Sequence, residues 1–110
     1  MYYVDDGCHS ETTVPPDDYE GNFQPKYFLA YVRCCTLNGS RCYTHDSCLT
    51  PAGLLTFDDA KLKCESYGLR LCTKDELLSD LCCGTGGECD DHQVWTSTPR
   101  ILRFGNFKLC

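Results

Sequence analysis

Apolar residues in this chain fall into short groups, each with its own period. Tyr27 to Cys35 (Tyr-Phe-Leu-Ala-Tyr-Val-Arg-Cys-Cys) is rich in aromatic and β-branched side chains and predicts a mostly buried strand. Asn38-Gly39 follows and predicts a type I′ hairpin turn, because both residues tolerate positive φ. Arg41-Cys42-Tyr43 then reads as the returning strand. Beyond the turn-like Leu49-Thr-Pro-Ala-Gly53 the period changes. Phe57, Ala60, Cys64 and Tyr67 fall at i, i+3, i+7 and i+10, the apolar stripe of a helix. Thr56 is its expected N-cap, with Asp59 three residues on in a variant of the capping box. Asp58 and Asp59 face the positive end of the helix dipole, and Gly68 supplies the stop. Leu69-Arg70-Leu71-Cys72 is a short extended piece. Thr73-x-x-Glu76 forms a second capping box and opens a shorter helix through Leu81, with Leu77, Leu78 and Leu81 inward. Val94-Trp95-Thr96-Ser97 reads as a strand, and the tail to Cys110 has room for one more.

Polar stretches frame these groups. Residues 1–25 contain Asp5-Asp6, Pro15-Pro16-Asp17-Asp18 and Pro25. Proline denies a segment helix and ladder hydrogen bonds, so 1–25 is expected to be an irregular arm, pinned through Cys8. Residues 26–110 are expected to form one domain. Cys82-Cys83-Gly-Thr-Gly-Gly-Glu-Cys89 is a Gly-rich loop held by three cysteines.

Cysteine content sets the class. Eleven of 110 residues are cysteine: Cys8, Cys34, Cys35, Cys42, Cys48, Cys64, Cys72, Cys82, Cys83, Cys89 and Cys110. That density marks a disulfide scaffold made in an oxidising compartment. Each bridge contributes roughly 2–4 kcal/mol, so a modest core made durable by cross-links is expected. The count is odd. One cysteine must be free, metal-bound or paired with another chain, and Cys8 and Cys110, at the termini, are the candidates. Adjacent residues on a strand project to opposite faces, so Cys34 and Cys35 should take different partners. One is expected to bridge through the core and the other across the hairpin or to the arm. Cys82 and Cys83 should likewise diverge.

Sixteen acidic against ten basic residues leave a formal charge of −6. A phosphate-binding face and attraction to anionic lipid are both disfavoured, so neither nucleic acid nor a membrane is an expected partner. No stretch approaches the roughly 18–20 apolar residues of a membrane span. Met1-Tyr-Tyr-Val-Asp-Asp is not a secretory signal. The expectation is a secreted protein seen as a mature or excised piece.

The segment from Leu55 to Ser97 resembles a C-type lectin-like domain. The resemblance rests on Phe57-Asp-Asp-Ala60-Lys-Leu-Lys-Cys64, Gly68-Leu-Arg-Leu71, Thr73-Lys-Asp-Glu76-Leu and the core strand Val94-Trp95-Thr96-Ser97. Link modules share the helix-Gly-Leu pattern. The resemblance covers about forty residues and implies a compact, disulfide-rich α+β fold, with two short helices packed on a small antiparallel sheet. It also implies a Cys64–Cys110 disulfide, joining the first helix to the last cysteine. For function it implies non-catalytic extracellular recognition of a glycan or a protein surface. The family's calcium motifs lie downstream of the core Trp, where this chain has fifteen residues and no Asp or Glu. The usual calcium-dependent sugar site therefore does not carry over.

Candidate chemistry is sparse. Glu88, Asp90 and Asp91 bunch beside Gly86-Gly87, and hard cations such as Ca²⁺ take oxygen ligands from such loops, although a solvated loop is the commoner fate. Cys89-x-x-His92 has local zinc spacing with Cys82 and Cys83 close by, but disulfides are expected instead. No cofactor is therefore expected. His45-Asp46-Ser47 holds the triad residue types, yet triads are assembled in space rather than from neighbours, and His9 and His45 read as surface residues. No enzymatic activity is expected. Trp95 reads as core before it reads as a sugar platform. Asn38-Gly39-Ser40 is a glycosylation sequon at an exposed turn. The expected binding face is the loop from Gly84 to His92, with Glu88, Asp90, Asp91 and His92 as its polar groups and the hairpin near Asn38 beside it. A second expectation is a building block of an extracellular fibre, coat or matrix, self-associating through the odd cysteine. A secreted toxin or protease inhibitor also suits the cysteine density, but the chain is large for one.

Overall fold

The computed structural model describes residues 1–8, 23–44, 47–86 and 88–100. Two three-stranded antiparallel sheets and two helices make up the α+β fold. In the first sheet β1 (Tyr2–Asp6) lies between β2 (Phe23–Gln24) and β6 (Gln93–Pro99), with Val4 opposite Trp95 and Asp6 opposite Gln93. In the second, β3 (Cys34–Cys35) lies between β4 (Cys42–Tyr43) and β5 (Arg70–Leu71). The chain leading into β3 is tied to the first sheet at Tyr31, whose N–H donates to Gln93 O at 2.9 Å and whose carbonyl accepts from Trp95 N–H at 3.0 Å. The expected single small sheet is thus two, and the lectin-like topology remains a resemblance.

Both helices start where their caps predict. Thr56 accepts from Asp59 N–H and opens α1 (Phe57–Ser66). Thr73 and Glu76 form the full reciprocal capping box of α2 (Lys74–Leu78). Gly68, at φ +73°, ends α1 in a Schellman arrangement: Leu69 N–H donates to Cys64 O and Gly68 N–H to Glu65 O, both at 3.0 Å. α2 stops three residues earlier than expected. Ser79 caps it, and Asp80 at φ 65° turns the chain away, leaving Leu77 fully buried and Leu81 only partly so. Tyr67 falls beyond the last helical turn and is exposed rather than on the buried stripe.

Three further expectations are corrected. Residues 2–6 are no irregular arm but the central strand of the first sheet; residues 9–22 lie outside the described ones. The Asp pair does not break the strand, because buried Asp5 accepts from Tyr3 Oη at 2.6 Å and Asp6 N–H at 2.7 Å. Tyr27–Cys35 is also no continuous strand. Phe28 N–H closes a turn onto Pro25 O, and Tyr27 stands 81% exposed; only Cys34–Cys35 joins a ladder, with single bridges at Ala30 and Tyr31. The hairpin after it forms, but not with a type I′ turn. Gly39 has positive φ and Asn38 does not, because the Asn38 side chain organises a longer loop, its Oδ1 accepting from Thr36 Oγ1, Ser40 N–H and Ser40 Oγ.

The interior divides in two. One core is apolar: Val4, Ala30, Val32, Phe57, Ala60, Leu71 and Trp95, with the Cys34 and Cys64 sulfurs among them. Trp95 is fully buried at its centre, its indole N–H donating to Leu55 O at 2.8 Å. The other core is largely sulfur: Cys35, Cys42, Cys48, Cys72, Cys82 and Cys89, filled out by Leu77 and Val94. Five disulfides join Cys8–Cys83, Cys34–Cys64, Cys35–Cys72, Cys42–Cys82 and Cys48–Cys89. Both adjacent pairs do diverge to different partners. Cys64, however, bonds Cys34 and not Cys110, because α1 packs against β5, the ladder neighbour of β3, which brings Cys34 within reach of Cys64. Cys35 runs neither across the hairpin nor to the arm but to Cys72, just past β5. Cys8 is bonded, so the odd cysteine is Cys110, which lies outside the described residues.

Candidate functional site

The β1–β6 pair has two ends, and each carries a candidate. At one end sits the Cys82–His92 loop. It is held by Arg33, whose side chain is completely buried. Nε donates to Thr44 Oγ1 at 3.1 Å; Nη1 donates to Gly7 O at 2.8 Å and to Cys82 O; Nη2 donates to Gly86 O at 3.1 Å and Asp90 Oδ1 at 2.7 Å. All five guanidinium hydrogens are thereby placed, the requirement for burying such a group without large desolvation cost. The Asp90 carboxylate also accepts from Gly84 N–H at 3.0 Å. Gly7 N–H donates to Cys89 O and His92 O, so the loop lies on the end of β1. A Cβ at Gly7 would stand 2.3 Å from Cys89 O, which is why the strand ends on glycine here.

This geometry redistributes the residues expected to bind a ligand. Asp90 faces inward and is the counter-ion of Arg33, not an outward ligand. Asp91 is well exposed; His92 Nδ1 lies 2.8 Å from Asp91 Oδ1 and 3.0 Å from Glu88 O. Glu88 is exposed at φ 57°. Cys82, Cys83 and Cys89 are bonded to three different cysteines, so the zinc set with His92 does not assemble. His9, His45, Asp46 and Gly87 lie outside the described residues. Asn38 is exposed on the hairpin loop, as a sequon requires, though its amide oxygen is engaged locally.

At the other end of β1 and β6 is an open groove of about 200 Å³, lined by Tyr2, Phe57, Lys61, Glu65, Arg70, Leu71 and Ser97. Tyr2 and Phe57 stack at 3.7 Å between ring centroids, and Phe57 meets Trp95 edge-on at 5.5 Å. The groove floor is therefore the outer surface of the apolar core. Its rim is ionic. Lys61 pairs with Glu65 at 3.1 Å, one helical turn apart on α1, and both are exposed. Arg70 holds Glu76 through two bonds of 2.8 and 2.7 Å. Glu76 in turn accepts from Thr73 N–H. The Arg70 hydrogen bonds hold the Glu76 carboxyl below its usual range, and Glu76 raises Arg70 above its own. A shallow apolar floor with fixed polar groups at its edge has the composition of a small-ligand site, although at about 200 Å³ it is smaller than the roughly 300–1,000 Å³ of ordinary ligand pockets.

Sequence reasoning missed both Arg33 and the groove. Arg33 stood inside an apolar run without any local mark of burial. The groove combines β1, α1, β5 and β6, and no local motif brings those together. Comparison of the chain with family models, curated proteins and solved structures gives no match. The disulfides are of the kind typical of extracellular proteins, and no helix among the described residues is long and apolar enough to cross a membrane.

Proposed function

We propose that this is a secreted, non-catalytic recognition module that binds a glycan or a protein surface through the Tyr2–Phe57 groove. The observation that carries the reading is the pairing of a stacked aromatic floor with the exposed Lys61–Glu65 pair. A sugar ring presents apolar C–H faces and hydroxyls at its edge. Aromatic rings match the first, and a carboxylate beside an ammonium can accept from and donate to the second. The groove is sized for one such ring or one protruding side chain. Supporting it is a frame that cross-links fix in advance, so little ordering entropy is lost on binding. The contacts would come from the groove's own rings and its Lys61 and Glu65, so the reading calls on no metal.

A glycan array with and without EDTA tests this. Binding insensitive to chelator is expected. Binding abolished by EDTA would return the site to a calcium loop, and no binding at all would turn the reading to protein partners. One observation favours a second reading, a building block of a fibre, coat or matrix. With ten cysteines bonded to one another, Cys110 is left to pair outside this set. Non-reducing mass measurement separates the two readings: a monomer with one titratable thiol counts against assembly, and a covalent dimer supports it.

A further inference from the structure

Two of the disulfides lie against each other. Cys35–Cys72 and Cys42–Cys82 bring four buried sulfurs within 4.8 Å of one another. Besides the two bonds there are sulfur–sulfur contacts of 3.5 Å between Cys35 and Cys42 and 3.6 Å between Cys72 and Cys82, with Cys42 and Cys72 also 3.6 Å apart. Bonds and contacts alternate around a ring: 35–72, 72···82, 82–42, 42···35. We infer that this ring is an exchange site, in which a small thiol converts Cys35–Cys72 and Cys42–Cys82 into Cys35–Cys42 and Cys72–Cys82.

The chemistry closes without an oxidant or reductant. Of the four residues only Cys42 has measurable exposure, at 7%, against 0% for the other three. A thiolate attacks Cys42 Sγ, forming a mixed disulfide there and expelling Cys82 as a thiolate. The Cys82 sulfur, in contact with Cys72, attacks it; the Cys72–Cys82 bond forms and Cys35 leaves as a thiolate. The Cys35 sulfur, in contact with Cys42, then closes Cys35–Cys42 and releases the original thiolate. Two disulfides stand before and after, and the thiol is regenerated. The product bonds are geometrically accessible. Cys35 and Cys42 are direct cross-strand partners of β3 and β4. They stand one rung from the hydrogen-bonded pair Thr36–Arg41, so they occupy the closer, non-hydrogen-bonded kind of rung.

The exchange changes what is tied to what. In the starting state the bridges span 37 and 40 residues and clamp the β3–β4 hairpin to both flanks of α2. In the product they span 7 and 10 residues, closing the hairpin on itself and α2 on itself. Cys72 directly follows Arg70 and Leu71, two lining residues of the groove. The swap therefore removes the covalent tie between one groove wall and the hairpin, leaving the β3–β5 ladder to hold them, and makes the cystine core a thiol-responsive device. It stands independently of what the groove binds.

Tryptic mapping of the full chain reads the outcome directly. Cleavage after Lys and Arg places Cys34 and Cys35 on 34–41, Cys42 and Cys48 on 42–61, Cys64 on 64–70, Cys72 on 71–74 and Cys82, Cys83 and Cys89 on 75–100. The starting pairing gives two separate disulfide-linked assemblies, one holding 34–41, 64–70 and 71–74, the other holding 1–26, 42–61 and 75–100. The swapped pairing joins all six. After incubation with substoichiometric β-mercaptoethanol and alkylation, the joined assembly is expected in about one molecule in ten or more, isomers within a tenfold ratio. Fragment masses should place Cys35–Cys42 and Cys72–Cys82 and leave Cys34–Cys64 intact. The C42A/C82A double variant, which keeps Cys35–Cys72, should stay as two assemblies. Two assemblies from treated wild type, joining in the double variant as well, or loss of Cys34–Cys64 would each overturn the inference.

Discussion

The two halves of this interior reach the same burial by different means. Around Trp95 the chain packs aromatic and aliphatic side chains in the ordinary way, with one disulfide set among them. Around Cys82 and Cys89 it has little to pack. Six half-cystines, one leucine and one valine fill that core, and the loop above it is held by hydrogen bonds from one buried arginine. The difference decides where each half can present chemistry. Where covalent bonds and Arg33 hold the backbone, the polar side chain of the loop best placed to act, Asp90, is absorbed in holding it. Where packing around a single disulfide holds the backbone, Lys61 and Glu65 are left on the surface beside an aromatic floor.

The largest effects should separate these two means of support. Arg33→Met removes five hydrogen bonds and strands the Asp90 carboxylate, and should cost about 3–5 kcal/mol in urea unfolding. Trp95→Ala, in the other half, should cost a similar ~3–5 kcal/mol through the cavity it leaves. Amide exchange tells them apart: Arg33→Met should release amides of the Cys82–His92 loop, and Trp95→Ala those of β6 and α1. If both release the same amides, the interior is one cooperative unit and the division fails. Next in size, Gly7→Ala should cost about 1–3 kcal/mol, because its Cβ meets Cys89 O and Arg33 Nη1 rather than yielding side chains.

A smaller effect is set by pH. Glu76 is held below its ordinary value in the folded chain, chiefly by Arg70. A carboxyl so depressed binds fewer protons folded than unfolded. Its stabilisation is fully present above the ordinary carboxylate range and fades as pH falls through that range toward the lowered folded value. Glu76→Gln should flatten this part of the acid limb relative to wild type. An unchanged acid limb would mean that the Arg70–Glu76 pair does not couple α2 to β5.

How much of this was legible follows from the range of each signal. Thr56, Gly68, Thr73 and Glu76 act on residues three or four positions away, and both helices start at the expected residues. The β6 strand with Trp95 was equally plain. β1 was not: its partner strand lies some ninety residues along the chain, and Asp5-Asp6 looks like a turn until Tyr3 is seen donating to Asp5. Disulfide partners are likewise set by which strands adjoin, so the divergence of Cys34 and Cys35 could be foreseen while Cys64–Cys34 could not. Asp90 shows the limit for the site. Composition marked an acidic loop, but only the fold reveals that one of its carboxylates faces a buried cation.

The direct test of the account sets the two ends of the β1–β6 pair against each other on one glycan array. Wild type, the groove variant K61A/E65A and the loop variant E88Q/D91N are applied side by side, after thermal melts confirm that none differs in fold. All four substituted residues are exposed, so stability should change by no more than about 0.5 kcal/mol. The groove variant should lose about tenfold or more in binding, the share of a charged hydrogen-bond pair, while the loop variant binds as wild type does. Binding lost in the loop variant and kept in the groove variant would contradict the account.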